Sequence, residues 1–428
     1  MLWAALEVLG LSLVALGCAM RVLWALRGAR NARSVPTLRE EAEGLGDLVE
    51  SLATSQPAGD GPRLVAVVPA RDEEAAIEAA LRTFLDQDLQ GMEVVVVNDR
   101  SSDGTGALLA ALAQEEPRLT VVEVDHLPEG WLGKVHALEQ GCRTTVAQEA
   151  DYLLFADADV HLAPGALRRS VALCEARGLD HLTLLPDLRA GTFLQSVVLW
   201  VFGALLLGRY DLSAAGSEQA EARETKSQGK KKRSQAVGVG AFNLVRRSAF
   251  DDTPGFKHLR LEVVDDVALG QMMAKSGHRT AARLAPEDVY LDWYGSLPAM
   301  IRGLEKNAFA AAAFSLPRLA VAVIMCTLLS LSPLAALILG IPQALAGTPC
   351  TFLALAVLVA LTHAYSAQIY HQRLQAPRLP ALFTAAGLLL CAFIALRSAV
   401  LTLRRGGIRW RETFYPLADL REGRRVEL

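Results

Sequence analysis

The sequence predicts an α/β domain with a mainly parallel sheet, tethered to a membrane by apolar helices on both sides of it. Three observations predict this. Short Val- and Leu-rich runs alternate with helical stretches through the middle of the chain. Long apolar segments flank that region. Acidic clusters follow three of the strand-like runs, at the edge where open α/β sheets bind ligands.

The first element is apolar from Leu2 to about Leu26, broken only by Glu7 and Arg21 and followed by Arg27, Arg30 and Arg33. A cleaved signal peptide carries its positive charge before the apolar run, not after it. Residues 1–28 are therefore expected to be a retained transmembrane anchor. By the positive-inside rule the chain beyond it is cytoplasmic, at the inner membrane if the cell is bacterial.

The domain is expected over 62–314. Its strand-like runs are Leu64 to Val68, Glu93 to Val97 and Tyr152 to Phe155. Between and after them, Glu73 to Gln87, Gly104 to Glu115, Lys134 to Ala147 and Pro164 to Arg177 read as helices, with Pro164 where a first-turn proline is favoured. Thr192 to Leu207 is apolar but short for a crossing and reads as an interfacial helix. Residues 213–235 are polar and end in Lys230, Lys231, Lys232 and Arg233, a mobile basic insertion that contacts anionic lipid or is simply solvated.

Three further apolar stretches lie within 319–403: about Leu319 to Leu345, Thr351 to Ala367 and Leu379 to Leu403. Two or three of them cross. Arginines stand at both ends of the last one (Arg373 and Arg378 before, Arg404, Arg405, Arg409 and Arg411 after), which conflicts with a simple crossing. One stretch is accordingly expected to be re-entrant or to lie along the interface. Residues 404–428 form a basic tail.

Composition removes several function classes. The 428 residues are 52% apolar with a net charge of −3, so no whole-chain attraction to nucleic acid exists. Six cysteines without a C-x-x-C pair argue against a zinc cluster or a disulfide framework and fit a reducing compartment.

The acidic groups carry the chemistry. Asp157-Ala158-Asp159 follows a buried strand, and one or two carboxylates suffice for Mg2+ or Mn2+, which keeps water or phosphate oxygens as its other ligands. Asp159 is the expected direct ligand, with Asp157 beside it. Such a pair alone matches many acidic turns; its position at a strand end, in company with the others, gives it weight. Asp99 can accept hydrogen bonds from a ribose or a uracil ring nitrogen. Asp103 reads as a structural helix starter. Asp265 and Asp266 precede a helix, where the ordinary reading is dipole stabilisation. Two adjacent acids also raise one another's pKa toward that of a general base, and Asp266 is expected to be that base with Asp265 supporting it. Lys134 alone would read as a surface lysine. Trp131, Gly130 and Gly133 before it, at a helix start, favour a phosphate partner.

Pro69-Ala70-Arg71-Asp72-Glu73-Glu74, the Asp99 block, Asp157-Ala158-Asp159 and Asp265-Asp266 resemble, in this order, the family 2 glycosyltransferases of the GT-A (Rossmann-like) fold, over roughly Leu64 to Phe314. Trp131-Leu132-Gly133-Lys134, Gly303-Leu304-Glu305-Lys306-Asn307 and Gly407-Ile408-Arg409-Trp410-Arg411 look like the hopanoid-associated members and their relatives acting on carotenoid acids and ceramide. The resemblance implies an inverting, metal-dependent transfer of one sugar from a nucleoside-diphosphate sugar (a UDP-sugar by default) to a membrane lipid. It implies nucleotide contacts at Pro69, Arg71, Asp72, Glu74, Asp99, Lys134 and Asp157, and an acceptor or product region at Trp131, Gly240, Arg302, Lys306 and Trp410. Asp72 departs from the usual Asn, and Asp265 from the usual Glu. The Q-x-x-R-W signature of polymerising enzymes is absent after the base, with Arg302 to Phe309 in its place and Trp410 a replacement for its Arg-Trp role. That disfavours a processive polysaccharide synthase. A nucleotide-regulated lipid transporter is the third reading, weakened by the absence of repeats.

Overall fold

The computed structural model describes residues 2–54, 61–210, 212 and 236–427; the basic insertion expected at 213–235 lies outside the described residues. Helix α1 (Leu2–Ser34) runs past the expected anchor. Its arginines are good helix formers and carry the helix out of the apolar run toward the domain.

The strands that follow are β1 (Leu64–Ala70), β2 (Met92–Asp99) and β3 (Leu119–Val124), joined by helices α2 (Ile77–Leu85) and α3 (Thr105–Glu115). After α4 (Gly133–Cys142) come β4 (Tyr152–Phe155), β5 (His161–Leu162), α5 (Ala166–Arg177), β6 (His181–Leu185), β7 (Asp187–Arg189), α6 (Phe193–Arg209), β8 (Asn243–Arg246), α7 (Asp265–Lys275), β9 (Thr280–Leu284) and β10 (Val289–Asp292). Seven strands form one sheet in the order β3-β2-β1-β4-β8-β6-β9, and β5-β10-β7 form a small second sheet.

The large sheet is mixed, not wholly parallel: β8 runs antiparallel to both β4 and β6. A strand buried on both faces has the same apolar composition in either direction, so only the path of the chain sets its polarity. Successive residues of β1 face opposite sides. Leu64, Ala66 and Val68 pack with Ile77, Leu81 and Phe84 of α2. Val65 and Val67 pack with Val135 and Leu138 of α4. Each Val or Leu so buried contributes roughly 1.5–3 kcal/mol. The two layers pin the sheet's carboxyl edge, where Asp99 ends β2 and the Asp157 loop follows β4.

Beyond the domain run α8 (Leu297–Ala311), α9 (Leu316–Leu345), α10 (Thr351–Leu374), a 3-10 turn (Leu379–Phe383) and α11 (Thr384–Arg405). Among the described residues four segments are long and apolar enough to cross a membrane, one near the start of the chain and three after the domain. Their outer faces are bare apolar surface, with Leu23, Ile324, Ile338, Leu361 and Phe393 more than half exposed.

The expected basic tail is instead a folded cap. β11 (Gly407–Trp410) pairs with β12 (Thr413–Pro416), and α12 (Leu417–Glu422) follows. Ile408, Tyr415, Leu417 and Leu420 are buried in the same cluster as Val135 and Leu138. Arginines dominate its composition, and these four apolar side chains decide its placement.

Candidate functional site

One cavity of about 270 Å³ opens at the carboxyl edge of the sheet. β1 delivers Pro69, Ala70, Arg71 and Glu73 to it, β2 delivers Asp99, α4 delivers Gly133 and Lys134, and the loop after β4 delivers Asp157 and Asp159. Trp293 and Tyr294 reach it from the end of β10, Lys306 from α8, and Trp410, Arg411 and Tyr415 from the C-terminal hairpin.

Its charges are arranged in pairs. Lys134 Nζ lies 2.6 Å from Asp157 Oδ1 and 3.5 Å from Asp265 Oδ2. Burial opposes the ammonium, but Asp157, Asp265 and Asp266 outweigh it and raise its pKa, so Lys134 is a fixed cation. Asp159 is pushed up to about 7 by burial and then by the charges of Asp157 and Glu73. Asp99, almost fully buried, receives both Nε and Nη2 of Arg100 at 2.7 and 2.9 Å. Lys306 stands with its Nζ 3.3 Å from the centroid of the Trp410 ring. Burial, followed by repulsion from Lys134, pushes its pKa down to about 7.

Asp265 and Asp266 stand behind this cavity, in a small adjoining pocket with Asp157, Lys134 and Gly240. Asp266 Oδ2 accepts the Gly240 N–H at 2.9 Å and Oδ1 accepts the Val267 N–H at 2.8 Å. Burial raises the pKa of both carboxyls, against the pull of Lys134. A carboxylate oxygen holding one donor keeps further acceptor capacity, so Asp266 can still take a proton. Gly240 sits between Asp157 and Asp266: a Cβ there would lie 2.7 Å from Asp157 Oδ2 and 3.5 Å from Asp266 Oδ2.

Four other residues expected at the site lie elsewhere. Asp72, at φ +53, uses Oδ1 to accept from Ser102 N–H and Oδ2 to accept from Arg411 at 3.0 Å. Glu74 accepts the Gly104 N–H at 2.8 Å. Both brace the loops around the cavity without lining it. Trp131 packs edge-on against His136, and Arg302 is outside the cavity wall. Asp103 binds the Thr105 and Glu74 N–H groups, a structural role as expected.

Sequence reasoning missed Trp293, Tyr294, Glu73 as a cavity residue, and Tyr415. Tyr294 has φ +60, and its ring occupies the place where a side chain at residue 303 would be. The glycine of Gly303-Leu304-Glu305 was the one available signal for it. Tyr415 receives the Gly133 N–H at its hydroxyl, 3.3 Å away, and nothing local to its hairpin announces that contact.

The residues fit a divalent cation. Asp157 and Asp159 supply hard oxygen donors at an open cavity, and such ions complete their shell with phosphate and water. Among the described residues no group of three or more His, Cys, Asp or Glu is placed to enclose a metal without such help.

A family model described as Glycosyl transferase family 2 matches residues 65–253. The chain carries a family 2 glycosyltransferase domain. The match takes in β1 to β8, most of the mixed α/β sheet that carries the cavity. Among curated relatives, the beta-monoglucosyldiacylglycerol synthase of Synechocystis sp. is 31% identical over 152 residues, covering 35% of this chain and 30% of that protein. The GalNAc(5)-diNAcBac-PP-undecaprenol beta-1,3-glucosyltransferase of Campylobacter jejuni is 27% identical over 107 residues, 25% of this chain and 32% of that protein. The chain thus spans about a third of the length of either relative. A mannosyltransferase from Pyrobaculum calidifontis, solved in complex with GDP-Man and Mn2+, aligns at TM-score 0.46 and 17% identity, covering 88% of this chain and 99% of that one.

Proposed function

We propose that this glycosyltransferase moves a single sugar from a nucleoside-diphosphate sugar, UDP by default, onto a membrane lipid of hopanoid, carotenoid or ceramide type, with inversion. The observation that carries the reading is the cavity's construction. Cations and carboxylates for a diphosphate line it together with residues from segments that adjoin apolar helices. The two curated relatives are named for glycolipid and undecaprenol-linked products, which supports a lipid acceptor.

In this mechanism Asp99 and Arg71 receive the nucleoside, and Lys134 and Lys306 receive the diphosphate. Asp159 and Asp157 would hold Mg2+ or Mn2+, which when bound would supply Lewis acidity to the leaving diphosphate. Asp266 takes the proton of the acceptor hydroxyl. Burial raises its pKa, the direction a base needs, and the Gly240 N–H fixes its orientation. The arginines in the last turns of α1 support a cytoplasmic domain.

The test uses purified protein in detergent with Mn2+ or Mg2+ and a panel of nucleotide sugars. Asp266→Asn is expected to retain nucleotide-diphosphate binding and lose transfer to lipid. Full transfer by Asp266→Asn would remove it as base.

A further inference from the structure

Four apolar segments and one folded cap impose a parity condition. If α1, α9, α10 and α11 all crossed, three crossings would separate the domain from the cap and place them on opposite faces. The cap is on the domain. Arg411 bonds to Asp72 and Glu73 at 3.0 Å each. The Arg425 and Val426 N–H groups donate to buried Glu262, and the Glu427 N–H donates to Gln271 of α7. An even number of the three helices therefore crosses.

α9 and α10 form the crossing pair. α10 ends against the domain side of α1: Arg373 donates to the Val35 carbonyl at 2.7 Å and pairs with Glu40, while the neighbouring Pro36 carbonyl accepts from Leu284 at the end of β9. At the other end of the pair, Gly340 packs on Leu353, and the connecting residues are exposed. α9 has 30 residues. That is roughly 45 Å of helix, and a crossing needs about 30 Å, so α9 can cross at a steep tilt.

α11 packs on helices of the domain at both ends, and its Ala385 carbonyl also accepts from Ser330 of α9 at 2.7 Å. Nine residues separate its start from the end of α10. Phe383, just before it, meets Phe193 at the start of α6, with ring centroids 5.1 Å apart. Gly387 packs on Val197 and Val201 of α6. α6 in turn is fastened to the site, because Gln195 Nε2 donates to the Tyr294 carbonyl at 2.7 Å. At the other end Arg405 pairs with Glu305 of α8 at 2.7 Å, and β11 follows directly into the cavity. Yet α11 is not covered. Leu389, Phe393, Leu396, Val400 and Leu403, spaced four, three, four and three apart, form one apolar stripe with each side chain at least 40% exposed. Phe193, Leu382 and Phe383 continue that bare surface to the edge of α6.

We propose that α11 is re-entrant. The unbroken helix lies within the near leaflet without crossing it, and with the 3-10 turn and the start of α6 it forms an apolar ledge on which the acyl chain of the lipid acceptor lies, its head group directed past Tyr294 into the cavity. The topological half stands on the contacts above alone; the acceptor half rests on the lipid reading under Proposed function.

The two halves are tested separately. Single cysteines are introduced at Asp86 in the domain, Glu422 in the cap and Thr348 in the α9–α10 connection, in a background with the six native cysteines replaced. They are labelled with a membrane-impermeant maleimide in sealed, oriented vesicles. Asp86→Cys and Glu422→Cys are expected to react from one face and Thr348→Cys from the other; Asp86 and Glu422 reacting from opposite faces overturns re-entry whatever the activity. Nitroxides at Leu382, Leu389, Phe393 and Leu403 are expected to lie in the near leaflet. A crossing helix would instead spread positions 389 and 403 over about 21 Å of depth, with one end of the helix at the far face. For the acceptor, Phe193→Glu and Leu382→Glu are expected to raise the lipid KM by roughly tenfold, because a charge in the acyl layer costs kilocalories, while the nucleotide-sugar KM stays unchanged. Unchanged lipid KM in both, with the labelling as expected, would leave α11 re-entrant and refute the ledge as acceptor site.

Discussion

Gly240→Ala is a perturbation of one methyl group at the point where the proposed metal carboxylates meet the proposed base. The added Cβ would lie 2.7 Å from Asp157 Oδ2 and 3.5 Å from Asp266 Oδ2. Carbon and oxygen rest at about 3.3 Å or more, so roughly 0.6 Å must be found. Asp157 cannot yield freely, because its other oxygen is held by Lys134 at 2.6 Å. Residue 240 cannot yield freely either, because its N–H is bonded to Asp266 and its carbonyl accepts from Asp157 N–H at 3.1 Å. The displacement is therefore shared between Asp157 and Asp266. A misplacement near 1 Å in a positioned site costs up to about a hundredfold; for 0.6 Å the expected loss in kcat is roughly 10- to 50-fold, about 1.4–2.3 kcal/mol. Steady-state transfer kinetics, with nucleotide-diphosphate affinity and thermal stability measured alongside, read it out. The control is Gly203→Ala, where a Cβ meets nothing within 4 Å and a helix gains a better former. Wild-type kcat in Gly240→Ala would refute the placement of Asp157 and Asp266 around one reaction centre.

Lys306, with its pKa pushed down to about 7, binds fewer protons folded than unfolded between about pH 7 and 10. Stability gains from this group as pH rises through that window, so Lys306→Met should raise the melting temperature more at pH 6 than at pH 10. Nucleotide-diphosphate binding should restore the lysine's charge, read as proton uptake at pH 8 by calorimetry in buffers of different ionisation enthalpy; equal heats in all buffers would contradict it. Mn2+ should raise the melting temperature of the nucleotide-bound protein but not that of Asp159→Asn, and chelation should abolish transfer. Arg411→Ala removes two partly exposed ion pairs, each worth at most about 1 kcal/mol; the donor KM should rise roughly tenfold with little change in kcat, and an unchanged KM would place Arg411 outside donor binding.

Much of the domain was legible because strands buried by helices on both faces must be written in Val and Leu, and β1, β2 and β4 are. Their ends could then be located, and with them Asp99, Asp157 and Asp159. The direction of β8 was not legible, since burial is indifferent to polarity. Neither were Trp293, Tyr294 and Tyr415, which reach the cavity through contacts made far along the chain and carry no local pattern. The folded cap was not legible from composition: its arginines read as a basic tail, whereas Ile408, Tyr415 and Leu420 dock it in the core. The last apolar segment shows the limit most plainly. A crossing helix and one lying in a single leaflet both need apolar residues wherever lipid touches them, so the sequence of α11 reads alike for either. The flanking arginines carried the discriminating signal, and the packing of both its ends on the domain side gives that signal its physical content.

The central claim is transfer of one sugar to a lipid at the membrane face, and mass spectrometry of the lipid product tests it most directly. Purified protein reconstituted in vesicles made from a total lipid extract of the source cell, with Mn2+ and each nucleotide sugar in turn, is expected to yield one lipid species heavier by a single sugar residue. A ladder of sugar additions would contradict the single-transfer account and favour a polymerising enzyme, and no modified lipid with any donor would contradict the lipid acceptor itself.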